Sequence, residues 1–263
     1  MIWQNISELS ALIFGYASVW FLISVAVRRN DVADIAWGLG YVLICVYQLL
    51  TKESTAVAIV AYSLTTIWAL RLSGHIFLRN RGKTEDFRYL QWRKDWGRSF
   101  YLRSYLQVYL LQGLLLLVIA APLIVAGAGG DADIGVWTFL GAGIWATGFF
   151  FQAVGDYQLQ QFLKTRTDKE AVLQTGLWRY SRHPNYFGEI LIWWGLFLIV
   201  LPLKYGYWAL LSPLTITLLL VFVSGVPLLE RRYRWNAAYE VYRKRTSMLI
   251  PWFRKDGSSN ISR

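Results

Sequence analysis

Long stretches without a charged side chain constrain this sequence more than any other feature. Residues 9–27, 104–130, 134–155 and 205–229 contain no Asp, Glu, Lys or Arg. An α-helix needs about 20 apolar residues to cross a hydrocarbon core about 30 Å thick, so these stretches suit membrane spans. The 14 Trp and 16 Tyr residues also fit a protein whose amphipathic rings lie at membrane interfaces. The pattern predicts an all-α, polytopic membrane protein.

The hydrophobic segments predict about seven transmembrane helices. The predicted spans are 9–27, 33–51, 54–78, 105–127, 134–155, 186–203 and 206–229. The N-terminus lacks the basic region and cleavage site of a signal peptide, so we expect the first span to be retained. One domain is expected over residues 1–255, followed by a polar C-terminal tail at 256–263.

Basic residues concentrate in alternate loops. Residues 79–103 carry eight Lys and Arg, and the chain from 230 onward carries nine, whereas the opposite loops are short and hold acids such as Asp131 and Asp133. The positive-inside rule then predicts N-out, C-in topology with cytoplasmic cap loops at 79–103 and 156–185. The same bias accounts for the net charge of +11 without nucleic acid. Some of these charges are expected to contact anionic membrane lipids.

Ionisable side chains inside or beside apolar spans are candidate functional groups, because each is costly in hydrocarbon. They are Asp31, Asp34, Arg71, His75, Asp156, Glu189 and Glu230. Nearly all fall on the predicted cytoplasmic side, which favours a shared polar cavity; pairing across helices that only fixes the packing is the alternative. The single cysteine, Cys45, lies inside a span as a packing residue and excludes a disulfide framework within one chain. No metal site is predicted.

Residues 176–189 form the most specific stretch, Gly-Leu-Trp-Arg-Tyr-Ser-Arg-His-Pro-Asn-Tyr-Phe-Gly-Glu. Pro184 favours an extended residue before it and can open a helix. His183 and Asn185 then lie at a helix N-terminus beside Arg182. Helix N-termini and Arg side chains both suit anions such as phosphates. A basic turn that merely caps the next span is the plainer interpretation.

Several motifs carry a resemblance to a known superfamily. Residues 182–189 resemble a signature shared by steroid 5α-reductases and isoprenylcysteine carboxyl methyltransferases. Residues 155–164, Gly-Asp-Tyr-Gln-Leu-Gln-Gln-Phe-Leu-Lys, resemble the reductase branch, and residues 239–251 resemble the C-terminal end of both branches. Residues 31–38 and 85–89 resemble a poorly characterised, largely bacterial subgroup of the reductases.

The resemblance implies a seven-helix fold in a bacterial inner membrane, NADPH bound on the cytoplasmic side, and reduction of a carbon–carbon double bond in a lipid-soluble, steroid- or isoprenoid-like enone. The cofactor-binding residues are then Gln152, Asp156, Lys164, Tyr180, Arg182, His183, Asn185, Glu189, Trp235 and Tyr242. Trp235 replaces a Tyr of the steroid reductases. Their substrate-activating pair is a Glu on the second span, for which Asp34 stands in, and a Tyr on the third, whose position holds Ala69.

Conjugate reduction requires hydride at the β-carbon and a polarised carbonyl. A carboxyl group in a low-dielectric site can stay protonated and donate to the developing enolate. Asp34, at the mouth of an apolar span, is the predicted catalytic donor, and Arg71 is expected to orient polar groups in the same cavity. The sequence contains no G-x-G-x-x-G, so a dinucleotide site would not be of the Rossmann type.

Two other functions stay open from the sequence. A methyltransferase using S-adenosylmethionine would draw on Glu230 with Tyr239 and Tyr242. Asp156 and Lys164 favour the reductase, because a basic residue suits a phosphorylated dinucleotide. A transporter or scaffold is the third possibility, but transporters often contain internal repeats and none is visible here. The sequence leaves the oligomeric state open.

Overall fold

The structure, a computed structural model, describes residues 2–130, 132–168 and 170–254. Asp131, Lys169 and the predicted polar tail at 256–263 lie outside the described residues. Within them the chain is helical and forms no strand, apart from one isolated bridge between Ser181 and Ser247. The prediction of an all-α fold is confirmed.

Twelve α-helices follow one another along the described chain. They are α1 (Ile2–Val27), α2 (Val32–Thr51), α3 (Ala56–Asn80), α4 (Phe87–Trp96), α5 (Phe100–Ser104), α6 (Leu111–Ile119), α7 (Ala121–Gly127), α8 (Val136–Thr165), α9 (Pro184–Val200), α10 (Leu211–Leu218), α11 (Val226–Tyr233) and α12 (Ala237–Arg245). A 3₁₀ turn and a π-helical turn join α4, α5 and α6, and a second π-helical turn follows α10.

Six helical stretches of the described chain are long and apolar enough to cross a membrane. They are Ile2–Val27, Val32–Thr51, Ala56–Asn80, Phe87–Ile119, Val136–Thr165 and Gly206–Tyr233. A shorter apolar helix, α9, has 17 residues and is about 26 Å long at 1.5 Å per residue. Large apolar side chains such as Phe139 and Phe222 are 70% and 72% exposed on these helices, as expected for contact with lipid. The protein is therefore a multi-pass integral membrane protein.

Several boundaries differ from the predicted spans. Helix α1 begins at Ile2, seven residues before the predicted start at 9. Helix α8 continues ten residues beyond the predicted end at 155, because residues 156–165 contain no Gly or Pro and are rich in helix-forming Gln and Leu. The predicted span 105–127 is divided at Ala120, where α6 ends and α7 begins with Pro122 in its first turn. Much of the predicted cap loops is consequently helical.

The chain divides into two compact units. Unit 1 comprises residues 1–139 and 196–212, and unit 2 comprises residues 140–195 and 213–263. The single domain expected over residues 1–255 stays a prediction.

Helices α2 and α3 pack closely within unit 1. A Cβ added at Gly38 would lie 2.3 Å from Ser73 Oγ and 2.7 Å from the carbonyl oxygen of Ala69. The Ser73 hydroxyl donates to the carbonyl of Ile35 at 2.9 Å. Cys45 is 1% exposed in α2, so its predicted role as a packing residue is confirmed.

Helices α8 and α9 pack through glycines within unit 2. A Cβ at Gly188 would lie 2.4 Å from the carbonyl oxygen of Gly148, and one at Gly195 would lie 2.6 Å from that of Gly141. Small residues let membrane helices approach until their backbones touch. At Gly188 the close partner is the backbone of α8 at Gly148 and Gln152. This packing brings the polar side chains of the two helices together.

Candidate functional site

Helix α9 begins at Pro184, as the sequence predicted. The preceding loop is tied to α8 by two hydrogen bonds. The backbone N–H of Leu177 donates to Gln158 Oε1 at 3.0 Å, and the Trp178 indole donates to the carbonyl of Gly155 at 3.1 Å. These bonds fix the residues that lead into the first turn of α9.

Two side-chain pairs join α8 to α9. The Gln152 amide donates to Glu189, whose other oxygen accepts from the Trp193 indole at 3.1 Å. One turn further along α8, the Asn185 amide donates to Asp156 Oδ1 at 3.0 Å. Four residues predicted to bind cofactor thus come together on facing turns.

A buried charged cluster lies beside these pairs. Arg182 Nη1 is 2.8 Å and His183 Nε2 is 3.5 Å from Glu230 Oε1. The side chains of Arg182 and His183 are 9% and 3% exposed. Arg182 Nε and His183 Nδ1 make no hydrogen bond within the described residues, although both atoms are buried. The Tyr186 ring stacks on the His183 imidazole with centroids 5.3 Å apart.

Helix α12 supports this cluster through Tyr242. Its hydroxyl donates to the carbonyl of Trp178 at 2.6 Å and lies 3.2 Å from that of Ser181. Burial raises the pKa of Tyr242, so the phenol keeps its proton at neutral pH. Tyr242, predicted to bind cofactor, is thus engaged in holding the loop that carries Arg182.

A small, partly open cavity of about 110 Å³ adjoins the cluster. Its lining includes Trp178, Arg182, His183, Tyr239 and Tyr242, together with aliphatic residues. Burial raises the pKa of Tyr239 to about 12, and the Glu230 carboxylate adds to the rise. The cavity therefore has apolar and aromatic walls with a cationic side.

A wider, open depression of about 520 Å³ shares Arg166 and Tyr233 with that cavity. Its other lining residues are Glu170, Arg232, Trp235 and Asn236. The Asn236 amide donates to Glu170 Oε2 at 3.0 Å, which ties α12 to the loop after α8. The depression thus combines two guanidinium groups with an exposed indole.

The remaining predicted cofactor residues lie at the margins of unit 2. Trp235 is 84% exposed, and the Arg234 guanidinium lies 4.5 Å from its ring centroid. Lys164 is exposed on the last turn of α8. Tyr180 is 39% exposed in the loop before α9. None of these three side chains belongs to the buried cluster that contains Arg182.

The predicted catalytic residues Asp34 and Arg71 both lie in unit 1. Asp34, on the first turn of α2, accepts from Arg88 Nη2 at 2.9 Å and from the Tyr89 hydroxyl at 2.9 Å. Arg88 also bonds Asp86 at 3.0 Å. Arg71 lies half-buried on α3. Asp34 is therefore engaged by α4, and the shared role expected for Asp34 and Arg71 stays a prediction.

Sequence reasoning did not identify Tyr89 and Arg88 as partners of Asp34. Tyr89 is 2% exposed, and 55 positions separate it from Asp34. Residues 85–89 did stand out as a motif, but the motif gave no pairing. A carboxyl–phenol pair is thus present, with its Tyr supplied by α4 and not by the span that holds Ala69.

The fold and these residues define a class: an all-α, multi-pass membrane protein with buried polar clusters. Residues 20–246 match the family described as "Protein of unknown function (DUF1295)", and the chain belongs to that family. It is also 27% identical, over 224 residues, to "Uncharacterized protein C594.04c" of Schizosaccharomyces pombe. That match covers 71% of this chain and 62% of the length of the yeast protein.

Proposed function

We propose that the protein is an NADPH-dependent membrane reductase that saturates a carbon–carbon double bond in a lipid-soluble enone. The observation that carries the proposal is the convergence of Gln152, Asp156, Asn185 and Glu189 on facing turns of α8 and α9. The resemblance to the reductase branch assigns cofactor contacts to these same positions. The same proposal includes a likeness to the bacterial subgroup of that branch. It also includes N-out, C-in topology in an inner membrane, with the site facing the cytoplasm.

The donors of unit 2 fit a phosphorylated dinucleotide. Arg182 Nε and His183 Nδ1 are buried donor-capable positions with no hydrogen bond among the described residues. Arg166 and Arg232 line the open depression, and guanidinium groups bind phosphate in a bidentate manner. Trp235 offers an exposed aromatic face for a base. When bound, NADPH supplies the hydride.

The two spaces differ in what they can hold. Ligand pockets commonly measure about 300–1,000 Å³, which includes the depression of about 520 Å³ but not the cavity of about 110 Å³. A dinucleotide therefore needs the depression and would reach the cavity with one end only. Asp156 and Asn185 line neither space, and their part in cofactor binding would be to fix the start of α9 next to Arg182 and His183 through their mutual bond.

On the substrate side, we propose that Asp34 and Tyr89 act as a pair. Hydride addition at the β-carbon leaves negative charge on the carbonyl oxygen, which a preorganised donor stabilises. Both oxygens of Asp34 accept hydrogen bonds, one of them from the Tyr89 hydroxyl, so that hydroxyl must exchange its bond to Asp34 for one to the substrate oxygen in order to donate its proton. Asp34 and Arg88 then hold the phenol in position, and Arg71 stays the second candidate in this unit.

A methyltransferase using S-adenosylmethionine is the second candidate function. The observation that favours it is that Glu230, Tyr239 and Tyr242, the residues the sequence assigns to this function, lie around Arg182. Tyr239 and Tyr242 line the smaller cavity together with Arg182, and Glu230 pairs with Arg182 at 2.8 Å. The two functions predict different ligands for one purified protein.

Replacing Asn185 or Asp156 with Ala tests the reductase proposal. Each change removes one member of the α8–α9 pair, and we expect it to weaken NADPH binding at least tenfold, or about 1.4 kcal/mol. Gly143→Ala is the matched control on α8, because a Cβ there meets nothing within 4 Å. Calorimetric titration of the folded variants measures the effect. Wild-type NADPH affinity in both Asn185→Ala and Asp156→Ala would refute the proposal.

A further inference from the structure

The C-terminal segment Thr246–Arg254, here called the strap, follows α12 without regular secondary structure and bends at residues 246 and 248–250. It is bonded to the loop before α9. The N–H of Arg182 donates to the carbonyl of Ser247 at 2.8 Å, and the Ser181 hydroxyl donates to that of Leu249 at 2.7 Å. These bonds hold the strap against that loop.

The outer side of the strap is apolar. Met248, Ile250, Trp252 and Phe253 are 37%, 63%, 69% and 79% exposed. A segment that faced water would be expected to carry polar side chains at such exposed positions. Here each outward position carries a large apolar group, so the strap presents one continuous apolar edge.

The strap also lies at the level where α9 enters the membrane. Helix α9 is about 26 Å long, against a hydrocarbon core of about 30 Å, so Pro184 must lie close to the edge of that core. Arg182 precedes Pro184 by two residues, which is at most about 7 Å of extended chain. Its bond to Ser247 therefore places the strap in the headgroup layer.

The basic residues next to the strap also support its position in the headgroup layer. The last turn of α12, directly before the strap, carries Arg243, Lys244 and Arg245, and Arg254 ends the strap. Basic groups next to Trp and Phe side chains are the composition that favours the interface of a bilayer with anionic lipids.

We propose that the strap is an interfacial anchor, whose outward side chains Ile250, Trp252 and Phe253 insert into the headgroup–acyl boundary of a membrane containing anionic lipid. The bonded partner of the strap is the loop that carries Arg182 and His183. The anchor thus ties the conformation of that loop to the bilayer surface. This inference depends on the fold of unit 2 and not on the identity of any cofactor.

Spin labels at single cysteines test the proposal in the full chain. The background variant is Cys45→Ala, which removes the single native cysteine, a buried one. Labels are placed at Trp252→Cys and, in a second variant that keeps Trp252, at Ile250→Cys. The protein is reconstituted in nanodiscs of phosphatidylcholine and phosphatidylglycerol, and accessibility to oxygen and to a water-soluble nickel chelate gives the depth. Phe222→Cys on the membrane helix is the control for low nickel accessibility, and Lys244→Cys on α12 is the control for high nickel accessibility.

We expect labels 252 and 250 to lie between the two controls, with at least threefold less nickel accessibility than label 244. Nickel accessibility at both positions equal to that of label 244 would overturn the proposal. Protection from nickel that appears only together with spin–spin broadening between two chains would also overturn the proposal, because the apolar edge would then pair with a second copy. Melting temperatures within a few degrees of the background variant show that the labelled proteins are folded. No readout uses NADPH, so failure here is separate from failure of the proposed function.

Discussion

Replacing Gly188 with Ala should disrupt the contact that brings the polar residues of α8 and α9 together. The added Cβ would lie 2.4 Å from the carbonyl oxygen of Gly148 and 2.5 Å from the backbone N of Gln152, whereas ordinary contact begins at 3.4 Å. Both neighbours are backbone atoms, so the helices must separate by about 1 Å. Overpacking of this kind costs about 1–3 kcal/mol. The bond between Asn185 and Asp156, 3.0 Å long, would lengthen beyond hydrogen-bonding range.

Thermal unfolding in detergent measures the stability, and NADPH titration measures the site. We expect Gly188→Ala to lower the melting temperature by several degrees and to weaken NADPH binding about as much as Asn185→Ala does. Gly143→Ala is the control, since its Cβ meets open space and Ala is favoured over Gly in a helix by about 1 kcal/mol. Equal stability and affinity in Gly188→Ala, Gly143→Ala and the wild type would show that α8 and α9 do not pack as described.

Two further predictions concern unit 1. Asp34→Asn and Tyr89→Phe should each slow single-turnover oxidation of NADPH by a lipid-soluble enone at least tenfold. The NADPH dissociation constant should change less than twofold, because the pair acts on charge that develops during the reaction. Wild-type turnover in a folded variant would remove that residue from the mechanism. A cysteine at Leu90, which is 40% exposed, should react with an impermeant maleimide only from the cytoplasmic side of oriented vesicles, and labelling from the opposite side would reverse the topology.

The helical, membrane-spanning character was predictable because it depends on local composition. Long uncharged runs have few structural solutions in a bilayer, so the spans over α2, α3 and α9 were located within three residues. Helices α4 and α12, which lie outside the uncharged runs, were not predicted. The boundaries were less predictable. The extension of α8 to Thr165 depends on helix-forming residues past the apolar run, and the division at Ala120 depends on a single proline, Pro122.

The start of α9 was predictable because Pro184 is a local signal for a helix N-terminus. Pairs across helices were not, since they depend on packing between distant segments. Nothing in the sequence indicates that Tyr89 bonds Asp34. The same holds for Glu230, which stood out as a single charge at the end of a span and in the structure pairs with Arg182.

Ligand titration of the purified wild-type protein tests the central claim most directly. Calorimetry with NADPH, NADH and S-adenosylmethionine, in detergent or nanodiscs, compares the two candidate functions in one preparation. The reductase account predicts saturable NADPH binding, at least tenfold tighter than NADH because Arg166 and Arg232 favour the additional phosphate. It also predicts no saturable binding of S-adenosylmethionine. Binding of S-adenosylmethionine without binding of NADPH would contradict the account and would establish the methyltransferase in its place.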